Sequence, residues 1–160
     1  MNEDETLIIL TPGFAASTTD STCLPMHQDF VRILKELYPR LKIIILSFQY
    51  PYKSGAYELF GATVISFNGR NHGGIRKLIL RRKISNMLLN IHRKGKIIGL
   101  LSFWYGECAL EAKIYANKHV ISHHCWILGQ DARKANRYPV KITPSPEELV
   151  ALSDFIQDEF

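Results

Sequence analysis

The chain has 160 residues and a formal net charge of +5, and its apolar and charged fractions are ordinary for a globular protein. No apolar run reaches the roughly 18 residues of a transmembrane helix, and the acidic start, Met1 to Thr6, is unlike a secretory signal. Cys23, Cys108 and Cys125 lack metal-ligand spacing, so we expect reduced thiols in a cytoplasmic protein.

The positive charge is concentrated in one part of the chain. No acidic residue occurs between Leu59 and Gly106, whereas nine lysines and arginines fall there. The remainder carries 11 basic and 15 acidic residues. This distribution predicts a positive surface for nucleic acid, a phosphorylated ligand or an anionic membrane.

The first part of the chain alternates between apolar strands and a helix. Leu7-Ile8-Ile9-Leu10 is typical of a buried parallel strand, and a small polar loop follows to about Leu24. A helix is predicted from about residue 25 to 38, where Pro39 ends it, and a second strand covers 43–48. The predicted buried stripe of the helix consists of Phe30, Ile33, Leu34 and Leu37.

The middle of the chain adds an aromatic loop, a strand and a long helix. The loop covers 49–57, the strand 62–67, and a glycine-rich turn 68–74. The helix extends from 75 to about 92, and Gly95 suits the position after its end. Its predicted apolar face consists of Ile84, Met87, Leu88 and Ile91.

A strand–helix–strand unit comes next, with a strand over 97–102, a helix over 107–116 and a strand over 120–128. Residues 132–146 are interpreted as loop and 148–152 as a last short strand. Ser153 can cap a terminal helix over 154–160. The order β-α-β-β-α-β-α-β-β-α predicts an α/β fold: one Rossmann-like, doubly wound, mostly parallel sheet with helices on both faces.

Ligands of such sheets bind beyond the carboxyl ends of the strands. The residues predicted there are Trp104, Glu107, Gln130 and Asp131. An indole ring beside carboxylate and amide groups suits a sugar or polyol, because the ring covers CH groups while the polar groups bond hydroxyls. The alternative is that Glu107 and Asp131 only cap a helix and a turn. Arg133, Asn136 and Arg137 either extend this polar rim or belong to a solvated loop.

Other chemistries have weaker support in the sequence. Neither a GxGxxG nor a P-loop motif is present. The segment 10–15 resembles a hydrolase oxyanion loop, but there is no GxSxG motif, and Ser102 lacks flanking glycines. His123-His124-Cys125 would point to alternating faces of a strand, so we expect no metal site there. His119 is expected to interact with the end of its helix.

The helix over 75–92 is strongly basic. Its cations include Arg76, Lys77, Arg81, Arg82 and Lys83. They could lie on anionic lipid beside an apolar face, or form the solvated side of a packed helix. Nucleic-acid binding is not expected, because no recognition motif accompanies the charge.

Four segments in this order and spacing resemble the N-terminal domain of GT-B glycosyltransferases, in particular those with a glycosyltransferase family 4-like N-terminal half. They are Pro12-Gly13-Phe14, Gln49-Tyr50-Pro51-Tyr52, Ser102-Phe103-Trp104-Tyr105-Gly106-Glu107 and Gly129-Gln130-Asp131-Ala132. The closing Leu149-Val150-Ala151-Leu152-Ser153-Asp154-Phe155 is similar to the strand that precedes the second half. The resemblance covers nearly the whole chain.

The resemblance implies retaining transfer of a sugar from a nucleotide-sugar to a glycan or lipid-linked acceptor, with no essential metal or further cofactor. Residues 1–160 would be the acceptor-side domain, inactive without a C-terminal donor-binding domain that this sequence does not include. Positioning and electrostatic support would carry the reaction. The catalytic residue stays unassigned, because the turn that bears a histidine in many relatives reads Gly129-Gln130-Asp131 here.

The resemblance also assigns roles to single residues. Gly13 and Phe14 would face the donor diphosphate. The acceptor side would be lined by Trp104, Glu107, Gln130, Asp131, Asn136, Tyr50 and Tyr52. A separate hypothesis, which rests on the charge of the helix over 75–92, is that this basic helix brings the enzyme to the inner face of a membrane. The alternative is a stand-alone, non-catalytic flavodoxin-like binding or scaffold domain.

Overall fold

The computed structural model describes residues 5–131, 133, 135–143 and 145–159. The strands are β1 (Glu5–Gly13), β2 (Lys42–Tyr50), β3 (Gly55–Leu59), β4 (Ala62–Ser66), β5 (Lys96–Phe103), β6 (His123–Ile127) and β7 (Leu149–Ala151). The helices are α1 (Pro25–Leu37), α2 (Gly74–Lys94), α3 (Glu107–His119), α4 (Tyr138–Ile142) and α5 (Asp154–Glu159), with a 3-10 turn over Pro146–Glu148.

The strands form one sheet in the order β3-β4-β2-β1-β5-β6-β7. Every neighbouring pair is parallel except β3 and β4. β1 lies in the middle, with Ile8 opposite Ile44 of β2 on one side and opposite Leu100 of β5 on the other. The chain therefore winds outward from β1 in both directions, which confirms the predicted doubly wound fold.

Alternate residues of β1 supply the two layers of the core. Ile8 and Leu10 pack with α2 and α3, whereas Ile9 packs with α1 on the opposite face. All three side chains are fully buried. Apolar residues at consecutive positions are thus explained by a strand that is covered on both faces.

The buried stripe of α1 differs from the prediction. His27, Gln28 and Val31 are its buried residues, whereas Ile33 and Leu37 are 53% and 68% exposed. The stripe is displaced because the polar side chains of the first turn enter the protein. The predicted apolar face of α2 is confirmed for Ile84, Leu88 and Ile91, with Leu80 in addition and Met87 only half-buried.

Part of the predicted aromatic loop is the antiparallel edge strand β3. Phe60 and Gly61 join β3 to β4, with φ of 52° and 74°. Two consecutive positive φ values are typical of the tight turn that matches strand twist. The sequence prediction missed the hairpin because Pro51 and Gly55 interrupt this segment.

Smaller corrections concern the second half of the chain. The strand predicted over 120–128 is limited to β6, and α4 with the 3-10 turn occupies part of the predicted loop over 132–146. Gly95 is extended rather than left-handed. Ser153 accepts a hydrogen bond from Ile156 N–H at 3.3 Å, which confirms the predicted cap. Ala132 and Phe160 lie outside the described residues.

Across the ranges given above, no helix combines the length and the apolar character that crossing a membrane requires.

Candidate functional site

A crevice opens at the carboxyl edge of the sheet, where β1 is flanked by β2 and β5. It has a volume of about 160 Å³. Its lining consists of Pro12, Phe48, Gln49, Asn71, Phe103, Trp104, Gly106, Glu107 and Cys108. From β1 the chain continues to β2 on one side, and the later strand β5 lies on the other side of β1. Open α/β sheets bind ligands at this switch in strand order.

Trp104 forms one wall of the crevice. Its backbone N–H donates to Trp126 O at 3.0 Å, which continues the ladder between β5 and β6. Its φ is +67°, a region that bulky residues rarely adopt. Such strain costs about 1 to 3 kcal/mol and is found most often at functional sites. The half-buried indole also packs edge-on against His27, with 5.1 Å between ring centroids.

Glu107 begins α3 and also lines the crevice. Its Oε2 accepts a hydrogen bond from Gln49 Nε2 at 3.3 Å, and its Oε1 lies 3.7 Å from Lys77 Nζ. Among the described residues, Oε1 has no hydrogen-bond partner although it is buried. Its charge partner is the Lys77 ammonium, and no described group uses its capacity to accept a hydrogen bond.

Lys77 supplies a cation beside this carboxylate. Burial works to lower the pKa of Lys77, but the Glu107 carboxylate and the Tyr138 hydroxyl outweigh burial and raise the pKa above its ordinary value. Lys77 Nζ donates to Tyr138 Oη at 3.3 Å, so it also ties α4 to α2.

The turn after β4 closes the crevice through Gln49. Asn71 N–H donates to Gln49 Oε1 at 2.7 Å, and Gly69 N–H donates to Phe48 O at 2.8 Å. Asn68, Arg70 and Asn71 all have φ near +55°. The turn thus holds the Gln49 amide with its nitrogen toward Glu107.

We expect Gly69→Ala to destabilise the protein by about 2 kcal/mol and to displace Gln49. An added Cβ would lie 2.4 Å from Gln49 Oε1 and 2.7 Å from Phe48 O, and the latter is backbone. Urea unfolding measures the loss. The matched control is Gly55→Ala, where an added Cβ meets nothing within 4 Å, and it should change stability by less than about 0.5 kcal/mol. Equal stabilities of the two variants would contradict this account.

Asp131 and Asn136 brace loops beside the crevice. Asp131 Oδ2 accepts from Leu128 N–H at 2.9 Å. Burial raises the pKa of Asp131, and backbone hydrogen bonds from Tyr105 and Leu128 oppose that rise. Asn136 Nδ2 donates to both Tyr105 O and Asp131 O at 3.0 Å. Asp131 therefore caps a turn, which is the alternative stated for it above, whereas Asn136 is half-buried and bonds to two backbone carbonyls.

The other residues predicted beside them face solvent. Gln130, Arg133 and Arg137 are exposed. None of them is among the residues that line the crevice.

Tyr50 and Tyr52 lie at the end of β2, outside the crevice lining. Tyr50 Oη donates to Asp20 Oδ2 at 2.7 Å, which raises the pKa of Tyr50 to about 12. Tyr52 is 59% exposed and carries the Arg70 guanidinium 5.3 Å above its ring.

Gly13 and Phe14 are both buried. Gly13 lies under Tyr50 and Cys23, and an added Cβ there would be 3.5 Å from Tyr50 Cβ. The Phe14 side chain packs in the core with α1, and its N–H donates to Tyr50 O at 3.4 Å. Neither position presents a side chain to a ligand in this arrangement.

The remaining polar groups of the sequence patterns are internal. Ser102 is fully buried and bonds to His123 Nε2 at 2.9 Å, so it has no access to a substrate. His123 and Cys125 are buried while His124 is exposed, as alternation along a strand predicts. His119 stacks on Tyr115, with ring centroids 4.3 Å apart. In the described part of the chain, no three His, Cys, Asp or Glu residues are placed to hold a metal.

The structure brings together Trp104 and Glu107, as predicted, but their partners were missed. Gln49 and Asn71 complete the lining of the crevice, and Lys77 pairs with Glu107 beside it. Gln49 stood in a segment already singled out, directly after a buried strand, and that position was the available signal. Asn71 reaches the site through a left-handed turn, which the sequence pattern does not encode.

Comparisons with known proteins identify no family for this chain. No family model matches it, and no curated protein matches it. Among solved structures, it is similar to a UGT transferase from Siraitia grosvenorii determined in complex with UDP, at 12% identity and a TM-score of 0.49. That match covers 77% of this chain and 23% of the plant protein, so the chain spans about a quarter of that protein's length.

Proposed function

We propose that this chain is the acceptor-side domain of a glycosyltransferase that transfers a sugar from a nucleotide-sugar, with retention, to a glycan or lipid-linked acceptor. The order of the four segments that resemble GT-B enzymes supports the proposal, and so does the doubly wound fold in which they lie. Donor binding would belong to a second domain, so we expect the chain to be inactive alone.

The observation that carries the proposal is the composition of the crevice. The Trp104 indole offers an apolar face, while Glu107 Oε1, buried among the described residues, lacks a hydrogen-bond partner. A pyranose presents CH groups on one face and hydroxyl donors around its edge. An aromatic face and a carboxylate with unused acceptor capacity in one crevice complement both features.

The crevice is small and suits one sugar ring rather than a nucleotide. Gly13 and Phe14 are retained as predicted donor-facing positions, where backbone rather than side chains would meet the diphosphate. Tyr50, Tyr52, Gln130, Asp131 and Asn136 would shape the acceptor side by holding loops and forming its rim. Positioning of the acceptor hydroxyl is the contribution expected of this domain.

Saturation-transfer NMR with a panel of methyl glycosides tests the proposal. We expect at least one glycoside to show transfer to its CH protons. Glu107→Gln should weaken its binding about tenfold, because a hydrogen bond to a charged group contributes about 1.5 to 3 kcal/mol. The matched control is Glu58→Gln, which removes an exposed carboxylate on β3 and should leave the affinity unchanged.

Absence of transfer from every glycoside would contradict the proposal. Tight binding of flavin mononucleotide in the same crevice would favour the stand-alone flavodoxin-like alternative instead. Thermal unfolding of each variant confirms that a lost signal reflects the site and not the fold.

A further inference from the structure

The first turns of α2 carry large aliphatic side chains that the protein leaves in solvent. Ile75 is 76% exposed, Leu78 62% and Ile79 50%. They lie on the side of the helix opposite the buried stripe of Leu80 and Ile84. Three such residues on one short stretch form an exposed apolar surface of the kind that marks an interaction site.

A basic cleft lies directly beside these aliphatic residues. It has a volume of about 170 Å³ and lies between the turn after β4 and α2. Its lining consists of Phe67, Asn68, Gly69, His72, Arg76, Ile79, Leu80 and Lys83. Three of these side chains can be cationic and none is acidic, so the cleft is complementary to an anion.

The cations in the first three turns of α2 divide into two groups. Lys77 and Arg81 pair with Glu107 and Glu111 and are therefore held against α3. Arg76 contacts His72 at 3.2 Å, from Nη1 to Nε2. Arg82 and Lys83 are exposed, and neither has an acidic partner in the part of the chain that the structure describes. The unpaired charge thus lies on the outward side, with the aliphatic residues.

We propose that this end of α2 is a docking surface for an anionic phospholipid bilayer. The cleft takes the headgroup phosphodiester between Arg76 and Lys83, and Ile75, Leu78 and Ile79 enter the boundary between headgroups and acyl chains. A lipid surface is favoured because aliphatic and basic groups alternate on a protruding helix end, as in interfacial helices. The inference does not depend on the proposed function.

The structure changes which residues make this contact. The apolar stripe expected beside the basic residues packs on the sheet and is unavailable to lipid. Two of the five cations first assigned to the membrane, Lys77 and Arg81, are held by carboxylates instead. The contribution of the outward cations to lipid binding can therefore be tested by substitutions that leave the pairs of Lys77 and Arg81 intact.

Co-sedimentation of the 160-residue chain with vesicles tests the proposal. We expect binding to vesicles that combine phosphatidylcholine with phosphatidylglycerol, little binding to phosphatidylcholine alone, and weaker binding at high salt. Arg76→Glu with Lys83→Glu should lower the partition coefficient at least about tenfold, because each basic residue near an anionic surface contributes about fivefold. Arg93→Glu with Lys94→Glu is the matched control, with the same charge change at the other end of α2.

A second pair of variants tests the aliphatic residues. Ile75→Ser with Ile79→Ser should also reduce binding several-fold at unchanged charge, whereas Val120→Ser, at a residue 94% exposed elsewhere, should not. Thermal unfolding verifies that each variant is folded.

Four results would overturn the proposal. The first is equal binding to neutral and anionic vesicles, and the second is an equal loss in the Arg93 and Lys94 control. The third is full competition by soluble glycerophosphoglycerol with no effect of the serine variants, which would identify a free-anion site. The fourth is self-association of the chain that the serine variants abolish, which would identify a protein interface.

Discussion

Between pH 7 and pH 4, protonation linked to His27 should lower the free energy of unfolding by about 3 kcal/mol, and His27→Phe should abolish this loss. Burial lowers the pKa of His27 from 6.5 to about 4. As the pH falls through this window, the unfolded chain binds a proton that the folded chain refuses, so the free energy of unfolding decreases. Each unit of pKa difference corresponds to about 1.4 kcal/mol. Phenylalanine cannot titrate, so its profile lacks this decline.

The buried position of His27 explains the size of the effect. The imidazole is 1% exposed and stacks on Phe103 with 4.0 Å between centroids, and neither ring nitrogen bonds to a described protein group. Urea titrations at several pH values measure the difference between the two profiles, which does not depend on any packing offset. Phe30→Leu is the control, since it alters the same aromatic cluster without removing a titratable group. Parallel profiles of wild type and His27→Phe would refute the assignment.

Arg81→Met should destabilise the protein by about 3 kcal/mol at pH 7. The Arg81 guanidinium bonds to the carboxylate of Glu111, whose side chain is only 5% exposed. Burial raises the pKa of Glu111, and the hydrogen bond and charge of Arg81 oppose that rise. Without Arg81 the pKa rises further. When a carboxyl has a raised pKa in the folded state, the free energy of unfolding decreases as the pH rises from the ordinary pKa to the folded one. The deficit is therefore small near pH 4 and greatest near neutrality.

Two further variants isolate this ion pair. Arg82→Met changes the neighbouring exposed arginine, which has no carboxylate partner among the described residues, and should cost less than about 0.5 kcal/mol. Combining Arg81→Met with Glu111→Gln should recover most of the lost stability, because no charge is then left buried. Additive effects of the two substitutions, or a deficit independent of pH, would contradict the prediction.

The architecture was predictable because its signals are local and strong. Ile8, Ile9 and Leu10 are apolar at consecutive positions, which only a strand covered on both faces requires. Ile84, Leu88 and Ile91 repeat at helical spacing, and they face the sheet. Ser153 has the side chain that a helix start needs, and it makes the expected bond.

The failures arose where tertiary contacts override a local preference. His27 and Gln28 are polar and were not predicted to lie on the buried side of α1. The His27 ring nevertheless packs in an aromatic cluster, and the Gln28 amide donates to two backbone carbonyls. The hairpin of β3 and β4 depends on positive φ at Phe60, and a phenylalanine in the sequence does not predict such a turn.

The position of the candidate site was predictable from the sequence, but the set of residues that lines it was not. The carboxyl ends of parallel strands locate it, and an aromatic residue and a carboxylate directly after β5 were visible in the sequence. Asp131 and Asn136 are equally polar, but hydrogen bonds to backbone occupy them. Whether a polar side chain faces a ligand or braces a loop depends on distances that only the folded chain sets.

The pairing of β1 with both β2 and β5 has a consequence for synthesis on the ribosome. Glu5 lies opposite Lys96, so one edge of the central strand has no partner until a segment 91 residues later has been synthesised. At cellular elongation rates that interval is roughly 5 to 20 seconds. During it, a nascent chain with an open strand edge is a target for chaperones and for mispairing with other chains.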